Sequence, residues 1–247
     1  MSIASLLIGK KNSTGVPGKN VRLINGVRSA EYAYRASEYS KLIQHRFVST
    51  DCGRIQSMGR QHGWSIIDRP SELAQPETLT EDVLSHALEF MDSELPEPPE
   101  IIVLHFCNTP AIDPVLIDEG IQTLLDEPEW SSVFSLCKFD MFSPVRAQKV
   151  IDGEVMPFVD PKHLPEANSL RNSQGACYFL DFSVQVLRRE CFESMDRTDT
   201  IFKWMGKKPK ALIRDARVFD IDEEWQLGVV EEWVKKHAQS SNTGSHR

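Results

Sequence analysis

The chain has 247 residues and a mass of 28.1 kDa, enough for one large domain with a sizeable core. With 40% hydrophobic and 26% charged residues it is expected to be soluble and globular, which excludes collagen-like, low-complexity and wholly disordered chains. A net charge of −8 gives no electrostatic footprint for coating nucleic acid, and no apolar run approaches the ~20 residues of a membrane span; neither partner is expected, and a cytoplasmic location is.

The apolar run Ile3 to Ile8 lacks the basic start of a signal peptide and is read as a first strand. It leads into a turn, Gly9 to Asn20, with three glycines, three lysines and two hydroxyl side chains. Glycines let backbone N–H groups approach an anion, hydroxyls add donors and lysines add point charge, so the turn has the composition of a phosphate cradle. Ser13 stands where a Walker A or a Rossmann fingerprint needs its first glycine, and Asn20 follows Lys19, so neither motif is present and a plain surface turn is the alternative.

Further along, a helix is expected from about Ser29 to Leu42, a strand from Gln44 to Ser49, and a helix from Thr80 to Met91 with Thr80 as its N-cap. The proline-rich connector Glu94 to Glu100 sets off a strand from Ile101 to Phe106, followed by a helix over Pro114 to Leu125 and a strand over Ser132 to Leu136. This alternation predicts an α/β fold, a mostly parallel sheet with helices on both faces. From Phe139 to Asn172 prolines and a glycine punctuate short apolar pieces, which suits an inserted arm. The parallel pattern then resumes with strands over Gly175 to Leu180 and Ala211 to Ile221. A last amphipathic helix covers Glu223 to Lys236, with Trp225, Val229, Val230 and Trp233 on its buried side. The expected organisation is a main α/β domain over 1–138 and 173–239, an arm over 139–172 and a disordered polar tail over 240–247.

Asp220 and Asp222 lie at the end of the last expected strand. Side chains two apart on a strand share a face, so both carboxylates can meet one hard cation such as Mg²⁺. The alternative is a pair of solvated acids, with Asp222 capping the helix. The cradle and the acid pair would both fall at the C-terminal edge of a parallel sheet, where ligands bind. Five irregularly spaced cysteines argue against a disulfide scaffold, and seven histidines show no metal-binding spacing; His105, inside an apolar strand, is expected to be a hydrogen-bonded core residue. Trp64 is expected to pack rather than to stack on a base.

Several segments together resemble one family. The loop Lys10 to Asn20, Ser49-Thr50-Asp51, Arg69-Pro70-Ser71-Glu72-Leu73-Ala74, the helix start near Thr80, Asn108-Thr109-Pro110, Gly175-Ala176 and Asp220-Ile221-Asp222 follow the order seen in the acylneuraminate cytidylyltransferases. The resemblance runs to about Trp233 and implies a nucleotide-diphospho-sugar-transferase-like fold with a dimerisation arm, hence a homodimer. It implies transfer of CMP from CTP to a sialic-acid-like 2-keto sugar acid, with release of pyrophosphate and Mg²⁺ as cofactor. By resemblance, Lys19 and Asp222 are catalytic, and Lys10, Asn12, Ser13, Gly15, Lys19, Asn20, Arg69 and Thr80 bind nucleotide. Asp220 and Asp222 hold metal, and Asn108, Arg146, Arg171 and Gln174 meet an anionic acceptor. The turn Phe106 to Ile112 departs from the family's Gln-Pro-Thr-Ser-Pro-Leu-Arg pattern, which leaves a phosphonate or another anionic acceptor, or a non-catalytic nucleotide-binding homologue, as alternatives.

Overall fold

The computed structural model describes residues 1–13, 15–170 and 173–243. Arg171 and the end of the expected tail, 244–247, lie outside them. In chain order the elements are β1 (Ile3–Ile8), the hairpin β2 (Leu23–Ile24) and β3 (Val27–Arg28), α1 (Ser29–Tyr39), β4 (His45–Thr50), α2 (Gly53–Gln61) and β5 (Ser65–Asp68). Then come α3 (Thr80–Glu94), β6 (Ile101–Phe106), α4 (Pro114–Asp126), β7 (Ser132–Lys138), and the arm hairpin β8 (Gln148–Ile151) and β9 (Glu154–Pro157). The chain closes with β10 (Tyr178–Arg188), the short α5 (Glu190–Glu193), β11 (Pro209–Arg214) and α6 (Glu224–Thr243).

Seven strands form the main sheet in the order β11-β7-β10-β6-β1-β4-β5. β1 runs parallel to β4 and β6, β4 to β5, and β11 to β7, as expected for strands joined by crossover helices. All six residues of β1 are buried, because each face of the central sheet is covered. On one face Leu7, Ile101 and Val103 pack with Tyr34 of α1, Ile55 of α2 and Ile121 of α4; on the other Leu6, Ile102 and Leu104 pack with Leu84 and Met91 of α3 and with Trp204. A third cluster joins Val16, Ile24, Ile221, Leu227 and Val230, fastening the loop after β1 to the segment that leads into α6.

Several expectations are corrected. β10 is antiparallel to both β6 and β7, with Tyr178 opposite Lys138. The reason is topological: the arm leaves and re-enters the sheet at one edge without a crossover helix, so the chain must return in the opposite direction. Within β10 the register slips between Leu180 and Gln185, and Phe182 there adopts a φ of 56°, a left-handed conformation uncommon for an aromatic residue. β11 stops at Arg214, so Asp220 and Asp222 lie on the loop before α6 and not on a strand. Thr80 is the first helical residue of α3 rather than its cap; Leu79 precedes it and no side chain caps that end. Trp225 is 53% exposed rather than buried. α6 runs past the expected boundary at Ser240, to Thr243. α2 and β5 escape the sequence reading because only Ile55 and Met58 mark the buried side of an otherwise polar helix.

Candidate active site

The loop after β1 is shaped by close backbone approaches. A Cβ on Gly9 would lie 2.4 Å from the Cys107 sulfur and one on Gly15 would lie 2.2 Å from the Asp222 carbonyl oxygen, so at either position a side chain would force the neighbouring segments apart. The Asn20 side chain is buried and donates to the Lys10 carbonyl at 2.8 Å, bracing the loop across its mouth. The Lys11 N–H donates to Asp51 at 2.7 Å, which ties the loop to the end of β4. Lys19, in a short helical turn beyond Gly18, directs its ammonium to the Asp222 carboxylate, while the Lys10 ammonium reaches the Gln75 carbonyl at 3.3 Å.

Opposite this loop stand the two aspartates. Asn108, 8% exposed just beyond β6, donates from its amide nitrogen to Asp220 Oδ2 at 3.1 Å, to the Ile221 carbonyl at 3.2 Å and to Asp222 Oδ1 at 3.3 Å. Gln226 in the first turn of α6 accepts from the Asp222 and Glu223 N–H groups at 2.7 and 2.6 Å, the side-chain half of a capping box. Burial, and next the charge of Asp222, push the Asp220 carboxyl up to about 6 against the opposing pull of Lys19. Two carboxylates thus share one small volume and one partly shielded cation.

Two adjoining clefts open on this edge of the sheet, sharing Lys10 and Arg69. The outer one, about 390 Å³, is lined by Lys10, Asn12, Ser13, Asp51, Asp68 and Arg69 among others. The inner one, about 230 Å³, reaches Lys19, Asn20, Thr80, Phe106, Asn108 and Asp220. Arg69 is buried and donates to the Ser49 carbonyl at 2.7 Å, which fixes its guanidinium between the clefts.

The nucleotide-side expectations are therefore gathered into one place, with Gly15 placed against Asp222. The acceptor-side set is divided. Asn108 belongs to the acid pair. Arg146 and Gln174 bond each other at 2.8 Å within the arm, where the Arg146 guanidinium also donates to the Leu170 carbonyl, beside a separate cavity of about 320 Å³. Arg171 lies outside the described residues.

A family model described as cytidylyltransferase matches residues 10–153, from the cradle through the first arm strand. The chain belongs to the cytidylyltransferase family. It is therefore a nucleotidyltransferase, on a fold that solved cytidylyltransferases share. CMP:2-keto-3-deoxy-manno-octonic acid synthetase complexed with CTP superimposes with a TM-score of 0.64 at 14% identity, covering 96% of this chain and 100% of that one. The 4-diphosphocytidyl-2C-methyl-D-erythritol synthase of Anaerococcus prevotii does so with a TM-score of 0.61 at 12% identity, covering 95% and 99%. Among sequence relatives, a post-translational flagellin modification protein B of Campylobacter coli is 22% identical over 95% of each chain. A CMP-N,N'-diacetyllegionaminic acid synthase of Campylobacter jejuni is 23% identical over 93% of each. An N-acylneuraminate cytidylyltransferase of Oncorhynchus mykiss is 25% identical over 55% of this chain and 30% of its own.

In this cytidylyltransferase the cleft-lining residues missing from the sequence-derived site include Asp51, Asp68, Ser71, Gln75 and Phe106. Asp51 and Ser71 sit in segments that the family resemblance already marks. Phe106 ends an apolar strand and is indistinguishable there from core. His105 is core as expected, bonded to Ser37 at 3.0 Å, and Trp64 packs edge-on against Tyr34 at 4.8 Å. The five cysteines are free thiols. No described helix is long and apolar enough to cross a membrane.

Proposed function

We propose that this chain transfers CMP from CTP to a hydroxyl of an anionic, sialic-acid-like 2-keto sugar acid and releases pyrophosphate. The observation that carries this reading is the convergence of Lys19 and Asp220 in one cleft, with Asp222 paired to Lys19 beside it, next to a cleft lined by Lys10, Asn12, Ser13 and Arg69. The names of the relatives support a nonulosonic-acid acceptor.

In the proposed reaction the acceptor oxygen attacks the α-phosphorus, the bond from that phosphorus to the bridging oxygen of pyrophosphate breaks, and the acceptor hydroxyl gives up its proton. This chemistry asks for positioning and charge neutralisation more than for a covalent intermediate. Lys10 and the loop backbone face the triphosphate; Lys19 sets a positive charge where negative charge accumulates; Arg69 and Thr80 border the nucleoside.

The donor set fits Mg²⁺. Asp220 and Asp222 provide hard oxygen ligands held on one amide nitrogen, and burial, then the charge of Asp222, raises the proton affinity of Asp220. Among the described residues no group of three or more His, Cys, Asp or Glu side chains surrounds a cation position, which matches an ion completed by substrate phosphates. When bound, the ion supplies Lewis-acid neutralisation of the phosphoryl oxygens. The exposed hairpin, with Val150 68% and Val155 66% exposed, supports a homodimer in which arms pair; Val150→Lys with Val155→Glu then yields a monomer by light scattering.

The test is thermal stabilisation by each of the four ribonucleoside triphosphates with Mg²⁺, followed by pyrophosphate release against a panel of 2-keto sugar acids and phosphonates, with Asp222→Ala as control. A shift selective for CTP and turnover of a 2-keto sugar acid are expected. A flat or non-selective response refutes the donor, and turnover only of a phosphonate refutes the acceptor.

A further inference from the structure

We infer that Asn108 is a positioning residue for the acid pair, setting the two carboxylates for a divalent cation rather than meeting the acceptor. This rests on the reading above that Asp220 and Asp222 hold that cation.

On a strand, alternation alone would place side chains two apart on one face, but β11 ends at Arg214 and the aspartates lie on an irregular loop. Strand alternation therefore does not set the two carboxylates side by side, and their like charges repel, offset at Asp222 by Lys19. Asn108 opposes this from a fixed base. It directly follows the turn at the end of β6, the strand paired with β1, and its own carbonyl accepts the Ile221 N–H at 2.8 Å. Its side-chain amino group faces the same stretch, its two hydrogens shared among one oxygen of each carboxylate and the carbonyl between them. One backbone bond and this shared donor therefore fasten three consecutive loop residues to one asparagine.

The residue type follows from the chemistry. The group must be a donor with two hydrogens to serve two carboxylates at once, and it must be neutral. An aspartate would lose both donors and bring a third negative charge beside the two carboxylates; a serine has one hydrogen to offer. The amide takes a single oxygen of each carboxylate, Oδ2 of Asp220 and Oδ1 of Asp222, so the pair is oriented by one amino group and not consumed by it. Gln226 completes the support from the far side by fixing the Asp222 backbone.

The experiment titrates Mn²⁺ into the full-length protein, alone and with CTP, and reads free and bound ion by electron paramagnetic resonance. Outer-sphere partners of metal ligands commonly govern affinity by about 10–100-fold. Asn108→Ala is expected to weaken Mn²⁺ binding at least about tenfold, without CTP as well as with it, and to alter the spectrum of the bound ion. Asn108→Ser, which keeps one donor and disturbs packing less, is the second variant and falls between. If wild type shows no Mn²⁺ binding that Asp222→Asn removes, the cation reading of the pair fails. If wild type binds and the folded Asn108 variants bind equally well with an unchanged spectrum, that reading stands and the role of Asn108 is overturned.

Discussion

Replacing Gly15 by alanine tests whether the cradle and the acid loop must touch during turnover. The added Cβ would lie 2.2 Å from the Asp222 carbonyl oxygen and 3.3 Å from its carbonyl carbon. Both partners are backbone, so no flexible side chain can yield, and restoring van der Waals contact needs a separation of about 1 Å between the two segments. The loop is exposed at this position, which leaves it room to move outward at small cost to the fold. Such a movement carries Lys19 away from Asp222. A misplacement of about 1 Å can cost roughly 10² in rate, or about 2.7 kcal/mol of transition-state stabilisation. Gly15→Ala should therefore lower kcat by about two powers of ten, with a melting temperature within a few degrees of wild type. The assay is pyrophosphate release at saturating CTP with the acceptor that the panel selects, beside a thermal melt. A kcat within about threefold of wild type would refute the requirement for contact.

Lys19→Ala removes a preorganised charge at the reacting phosphate and should cut kcat by about 10²–10³ at saturating substrates, checked by the same assay with circular dichroism for folding. Arg214 and Asp181, 4% and 0% exposed, form an ion pair that also engages Ser183 and the Ala111 carbonyl; Arg214→Met strands the buried carboxylate and should cost about 3–5 kcal/mol in urea unfolding. Burial pushes His105 down to about 4 from 6.5, so between those values the unfolded chain binds more protons and stability falls as pH drops through the window. Its contribution is fully present above pH 6.5 and amounts to about 3 kcal/mol lost by pH 4; His105→Gln should flatten that part of the pH–stability curve measured by urea unfolding.

The central sheet was legible because its strands carry their signal locally. β1 and β6 are unbroken apolar runs buried on both faces, and α3 and α4 between or beside them keep a helical apolar period. Direction is a different matter. Gly175 to Leu180 has the composition of a strand whichever way it runs, and what decides the direction of β10 is that the arm brings the chain back where β7 left the sheet. The kink at Phe182 is equally hidden: it adjoins Asp181, whose buried carboxylate meets Arg214 from a strand more than thirty residues away. The exposure of Trp225 follows from the same kind of cause. A helix of apolar period has a buried side, but Trp225 in its first turn lies edge-on to Phe219 at 5.4 Å and stays 53% exposed.

The site was legible where residue type and chemistry coincide. A lysine-rich glycine loop and a pair of aspartates announce anion and cation binding by composition, and their meeting follows from both lying at one edge of a parallel sheet. Asn108 carries no such signal, because an amide after a strand suits a ligand contact and a structural brace equally well; only its bonds to the acid loop separate the two. The ion pair of Lys19 with Asp222 spans 203 residues, and what holds its ends in place is packing: Val16 and Ile221 sit in one apolar cluster. That cluster also contains Phe139 at the root of the arm, stacked on Phe219 with ring centroids 4.3 Å apart. Phe219 immediately precedes Asp220. The arm root, the acid loop and the phosphate loop thus form one packed unit, and this is why residues that read separately in sequence as an insertion, a metal motif and a glycine turn belong to a single site.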